Sequence, residues 1–118
     1  MGFLRRWARR FAESDEERLA KEIRDWASSV DGTVSIAEAP LREHVKVAGV
    51  VNRLTVRPVE GLQSIEAAVS DGTGEVIAAW MGRTSIPGLV LGTRVILEGV
   101  MGETRGGKRI VNPRYEFG

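Results

Sequence analysis

From His44 onward, apolar residues stop recurring at helical spacing and fall on every second position. Val45, Val47 and Val51 with Gly49, then Ile65, Ala67 and Val69, then Val95 and Leu97, each keep one phase. Successive side chains of a strand point to opposite faces, so this alternation buries one face of a sheet and does not fit a helix. Turn chemistry separates the runs: Asp71-Gly72-Thr73-Gly74 supplies one tight connection and Gly106-Gly107 another. Gly49 lacks the side chain that would resist coiling of a long first strand. The pattern predicts five strands, over about 45–57, 63–70, 75–81, 94–102 and 108–117, with "RTSIPGLVLG" between the third and fourth.

Before His44 the spacing is helical. In "MGFLRRWARRFA", Phe3, Leu4, Trp7 and Phe11 share one face at 100° per residue, while Arg5, Arg6, Arg9 and Arg10 occupy the other with no acidic residue among them. Ser14 opens a capping-box pattern with Glu17, and Leu19, Ile23, Trp26 and Val30 follow as a second apolar stripe, rotated by about a quarter turn or more from the first. A helix break near Ser14 is expected. Asp31-Gly32 and Pro40 mark "SSVDGTVSIAEAPLRE" as a linker or short edge element. The chain therefore divides into a helical extension and linker over 1–43 and a β domain over 44–118.

Several function classes drop out on composition. A chain of 118 residues holds one modest core and leaves no room for a two-domain enzyme. With no cysteine there is no thiolate metal site, Cys nucleophile or disulfide framework, and a cytoplasmic location is expected. The only histidine, His44, has no Ser or Asp partner placed near it by sequence, and the acidic residues show no ligand spacing. Catalysis, a metal and a cofactor are therefore not expected. Asp71 within "SDGTG" is read as a turn residue that holds the backbone, not as a catalytic acid.

Taken together, a long bent first strand and a short connection between the third and fourth strands match the layout of a five-stranded OB-fold Greek-key barrel, here with an N-terminal α-helical extension. "VKVAGVVNR" resembles the opening strand of OB-folds of the tRNA-anticodon-binding type; "VSDGTGEV" is similar to their second turn and "LGTRVILEGVM" to their fourth strand. "RIVNPRYEF" resembles the closing strand of the wedge domain of RecG-type DNA helicases. The resemblance covers roughly residues 44–118 and implies binding of single-stranded or branched nucleic acid, DNA before RNA. No G-x-x-x-x-G-K-[ST] phosphate loop occurs, so helicase motor chemistry is absent.

Such binding needs positive charge for the backbone and π-faces for the bases. On the third strand Val76, Ala78 and Trp80 take the inward phase, which makes Trp80 core packing and not a stacking platform; Ile77, Ala79 and Met81 take the outward phase. Met81 stands where an outward aromatic would be, against a base or as part of an apolar contact. The charge lies on two loops that OB-folds use as binding rims: Arg105, Lys108 and Arg109 on one, Arg53 and Arg57 near the other, with Lys46, Asn52, Arg83 and Arg114 extending the track. Nine Lys/Arg against seven Asp/Glu from His44 onward leave little net charge, so the binding would be local, weak and salt-sensitive. The alternative is a protein-interaction adaptor using Ile77, Ala79, Met81 and the N-terminal stripe. For that stripe itself three uses are open: docking on a partner or on its own barrel, contact of residues 1–12 with a membrane surface, or added nucleic-acid affinity.

Overall fold

Two patterns of apolar spacing become two kinds of element. A computed structural model describes the backbone from Gly2 to Gly118 and the side chains from Asp15 onward. Among the described residues there is one helix, α1 (Gly2–Ser29), followed by one sheet of seven strands. These are β1 (His44–Val59), β2 (Leu62–Ser70), β3 (Glu75–Met81), β4 (Arg94–Val100), β5 (Gly102–Thr104), β6 (Gly107–Val111) and β7 (Arg114–Phe117). The protein is mostly β.

α1 runs through Ser14 without interruption, so the two expected helices are one and the break is absent. "FAESDEERLA" contains neither Gly nor Pro and is rich in strong helix formers, so a Ser-x-x-Glu pattern has no boundary to cap there. The Ser14 side chain, and those of Phe3, Leu4, Trp7 and Phe11, lie outside the described residues. At its other end the helix stops where sequence places turn chemistry. Gly32 takes a positive φ of 79°, and the Thr33 hydroxyl donates to the carbonyls of Ala27 and Val30 at 2.8 Å each. Ala27 is buried, and Trp26 lies under the Arg94 guanidinium, 5.0 Å from its ring centroid.

The stretch after α1 is more than a linker. Ile36 is fully buried and joins Ala39 in the same core as the strands, and the Val34 N–H donates to the Lys46 carbonyl at 2.9 Å. Core packing therefore crosses the boundary expected at 43/44. A single turn with one inward Ile is too short to give a periodic signal in the sequence.

β1 serves two neighbours in turn. His44–Val50 pairs with β4, and Val50–Val59 pairs with β2, both antiparallel. The changeover needs Gly49, where a Cβ would stand 2.5 Å from the Ser70 carbonyl oxygen, closer than atoms approach. Asn52 is the extra residue of a bulge between Val51 and Arg53, which resets the phase so that Leu54 and Val56 fall on the side of Ile65 and Ala67. Glu60 and Gly61, at φ 48° and 80°, then form a two-residue turn of the type whose twist suits a hairpin. Gly49→Ala forces β1 off β2 and is expected to cost about 2 kcal/mol. The urea midpoint should fall with the m-value unchanged, and an unchanged midpoint would remove close approach as the reason for Gly49.

The five expected strands become seven because the last two are broken. The fourth stops at Val100: Met101 turns inward, its N–H donating to Glu43 and its carbonyl accepting from Arg42, and Gly102–Thr104 pairs instead with β6. The fifth breaks at Asn112-Pro113, since proline has no N–H to continue a ladder. Asn112 takes a left-handed φ of 52°; its N–H donates to the Ala79 carbonyl at 2.6 Å and its Oδ1 accepts the Met81 N–H at 2.9 Å. β6 thus runs parallel to β3, while β7 runs antiparallel to β4. The strand order is β5-β6-β3-β2-β1-β4-β7, seven strands where five were expected, and the hydrogen-bonded sheet is not closed. Its β6 and β7 sides are joined through the chain by Asn112 and Pro113 alone.

Candidate nucleic-acid interface

The phase of β3 decides what it can offer a ligand. Val76, Ala78 and Trp80 are buried in the core, and the Trp80 indole N–H donates to the Pro113 carbonyl at 3.1 Å. Trp80 is core, as its phase implied. On the opposite face Ala79 is also fully buried, between cross-strand neighbours Glu66 on β2 and Val111 on β6. Ile77 and Met81 are only half-buried. The apolar outward set expected for an adaptor is therefore interrupted at its centre, because β6 adds a neighbour that strand phase alone does not reveal.

That same face carries a groove of about 240 Å³, between β1, β2 and the β5–β6 hairpin. Arg53, Arg57 and Arg109 line it with Thr55, Ile77 and Thr104 around Glu66. The Asn52 bulge gives Arg53, Thr55 and Arg57 this face, and the parallel β3–β6 register brings Arg109 beside Ile77. Glu66 is nearly buried, 10% exposed at its side chain, and accepts a 2.8 Å hydrogen bond from Arg109. Arg57 stands 3.6 Å from the same carboxylate but is 63% exposed, and Arg53 stands 3.5 Å from Glu75 at similar exposure. Exposed pairs of this kind contribute little, so Arg53 and Arg57 can turn to another anion at small cost while Arg109 is held.

The remaining sequence-predicted residues separate. Lys108 is not available: its ammonium donates to the carbonyls of Ile36, Ala37 and Ala39 at 2.7, 3.0 and 2.9 Å and ties β6 to the turn that follows α1. Lys46 donates to the Asp31 carbonyl at 2.9 Å and shares with Arg114 a second groove on β1, β4 and β7 that also holds Glu98 and Glu116. Arg105 is exposed at the β5–β6 tip, between Thr104 and Gly106 of the first groove. Arg83 is exposed after β3, and Asn52 at the bulge. Among the described residues, Arg83, Arg105 and Arg114 have no ion-pair partner.

Tyr115 meets Trp80 edge-on at a centroid distance of 5.6 Å, and Phe117 meets Tyr115 at 5.7 Å, which carries an aromatic stack from the core to the surface. Tyr115 and Phe117 are 37% and 39% exposed. The signal for it is their alternation at the end of the chain, opposite Leu97 and Val95.

Nothing in this arrangement indicates catalysis. Among the described residues no three of His, Asp and Glu come together as metal ligands, and His44 has only Glu98 beside it, at 3.3 Å. Asp71 is buried as a turn acceptor. No protein-family model matches the chain, and no curated protein is significantly similar to it.

Proposed function

We propose that this protein is a non-enzymatic module of the OB-fold type that binds single-stranded or branched nucleic acid, mainly through backbone charge. The observation that carries the reading is the grouping of Arg53 and Arg57 of β1 with Arg109 of β6 along one groove, with Arg105 at its rim. The fold assignment draws support from β6 and β7, which read as two halves of one strand, one parallel to β3 and the other antiparallel to β4. Resemblance to RecG-type wedge domains favours DNA over RNA. With Glu66 and Glu75 offsetting part of the positive charge, the binding is weak and tolerant of sequence.

Fluorescence anisotropy with labelled single-stranded, duplex and forked oligonucleotides across a salt series tests this. Binding is expected at low salt, and absence of binding there ends the reading. Changing Arg53, Arg57 and Arg105 together to Ala should lower the salt slope by roughly two units on single strands, about 0.7 for each phosphate that is no longer neutralised. Lys108→Met should lower stability and leave that slope unchanged, since its ammonium is already spent on three carbonyls.

A further inference from the structure

We propose that residues 2–12 of α1 form a surface anchor for an anionic lipid bilayer. The continuity of the helix carries this. Among the described side chains, α1 rests on the β domain near its C-terminal end: Ala27 is buried, Trp26 packs under Arg94, and the Ala20 carbonyl and Arg24 side chain close over Gly72. From Asp15 to Leu19 every residue is exposed, so the helix has already left the domain there. Residues 2–14 continue the same helix for roughly 20 Å at 1.5 Å per residue.

Positions 3, 4, 7 and 11 span one arc of this helix, and its docked face, at Ile23, Trp26 and Ala27, is rotated from that arc by roughly 140° at 100° per residue. A broken helix would let the first stripe fold back onto the domain. An unbroken one keeps those positions on the side of the helix opposite the docked one. An external surface is the proposed cover for the stripe, and its chemistry follows from the residues: Phe, Leu, Trp and Phe on one side, four arginines and no acid on the other. Aromatic and aliphatic groups sink to the acyl boundary while arginines meet anionic headgroups. Nucleic acid would use the arginines but leave the apolar arc in water. Glu13, Asp15, Glu16 and Glu17 follow at once, so repulsion limits contact to the first three turns. No helix among the described residues is long and apolar enough to cross a membrane.

Co-sedimentation of the full chain with vesicles tests this, using phosphatidylcholine alone and phosphatidylcholine with about one-third phosphatidylglycerol. The chain should pellet with the anionic vesicles, about tenfold or more less with the neutral ones, and less as salt rises. Leu4→Glu with Trp7→Glu should abolish pelleting while leaving thermal unfolding and oligonucleotide affinity unchanged, since both positions lie outside the β domain. Absence of pelleting with anionic vesicles overturns the proposal, as does equal pelleting by the double variant, which would assign it to charge alone. Loss of oligonucleotide affinity in that variant would assign the segment to nucleic acid. Self-association that the variant removes, without vesicle binding, would assign the stripe to a second copy.

Discussion

Trp80→Ala is expected to cost about 4 kcal/mol, within the range for removing a buried tryptophan from a core. The side chain is 4% exposed, lies among Ile65, Ala78 and Ile110, and supplies the buried end of the stack with Tyr115. Its removal opens a cavity and leaves the Pro113 carbonyl without the indole donor at the point where β6 gives way to β7. A domain of this size is stable by only about 5–15 kcal/mol, so the variant should be partly unfolded near physiological temperature. Trp80→Phe keeps most of the volume, loses the hydrogen bond, and should cost about 1.5 kcal/mol. Thermal unfolding of both variants gives these differences. The oligonucleotide affinity of Trp80→Phe should equal that of the parent, because the ring faces the core. Reduced affinity at unchanged stability would make Trp80 a ligand contact and reverse its assignment.

Asp71→Ala should be the second large loss, about 3 kcal/mol. Oδ1 accepts from the Thr73 N–H at 2.9 Å, from the Thr73 hydroxyl and from the Gly74 N–H at 3.2 Å, while Oδ2 accepts from the Ile36 N–H at 2.9 Å. One buried carboxylate thus closes the β2–β3 turn and ties it to the segment that follows α1. Alanine leaves those amides without an acceptor, and hydrogen bonds to a charged group are the expensive ones to lose. Asp71→Asn is not a mild change, since one of the two carboxylate positions then presents an NH2 to an N–H donor. It should cost about 2 kcal/mol. For a domain of about 100 residues, Asp71→Ala corresponds to a melting point lower by roughly 12–20 °C. Hydrogen exchange at the Ile36 amide should accelerate in both variants. A melting point unchanged in Asp71→Ala would contradict the turn role and reopen the residue to a ligand-binding one.

How far the sequence reached varies by residue for physical reasons. The inward phase of Val76, Ala78 and Trp80 was legible because strand alternation is local. The turn role of Asp71 was legible too, since most of its partners lie within three residues, although the bond to Ile36 was not. Burial of Ala79 was invisible, because it depends on Glu66 across β2 and on Val111 across a parallel ladder from a distant segment. The β1 bulge was likewise invisible, and it sets the face on which Arg53 and Arg57 meet Arg109.

By itself the sequence determined a mostly β protein with a helix before it, its turns at Asp71–Gly74 and Gly106-Gly107, and the absence of thiol chemistry, because periodicity, Gly-containing turns and composition need no partner. Tertiary structure alone decided which charges remain available. Lys108 and Arg109 are neighbours in the same basic stretch, yet one is held by carbonyls about seventy residues earlier and the other by Glu66, while Arg53, Arg57 and Arg105 stay exposed. It also decided that the last strand breaks at Asn112-Pro113, with its two halves pairing to different neighbours. Whether a charge is already paired, or an apolar stripe already covered, depends on distances across the fold, which local pattern does not contain.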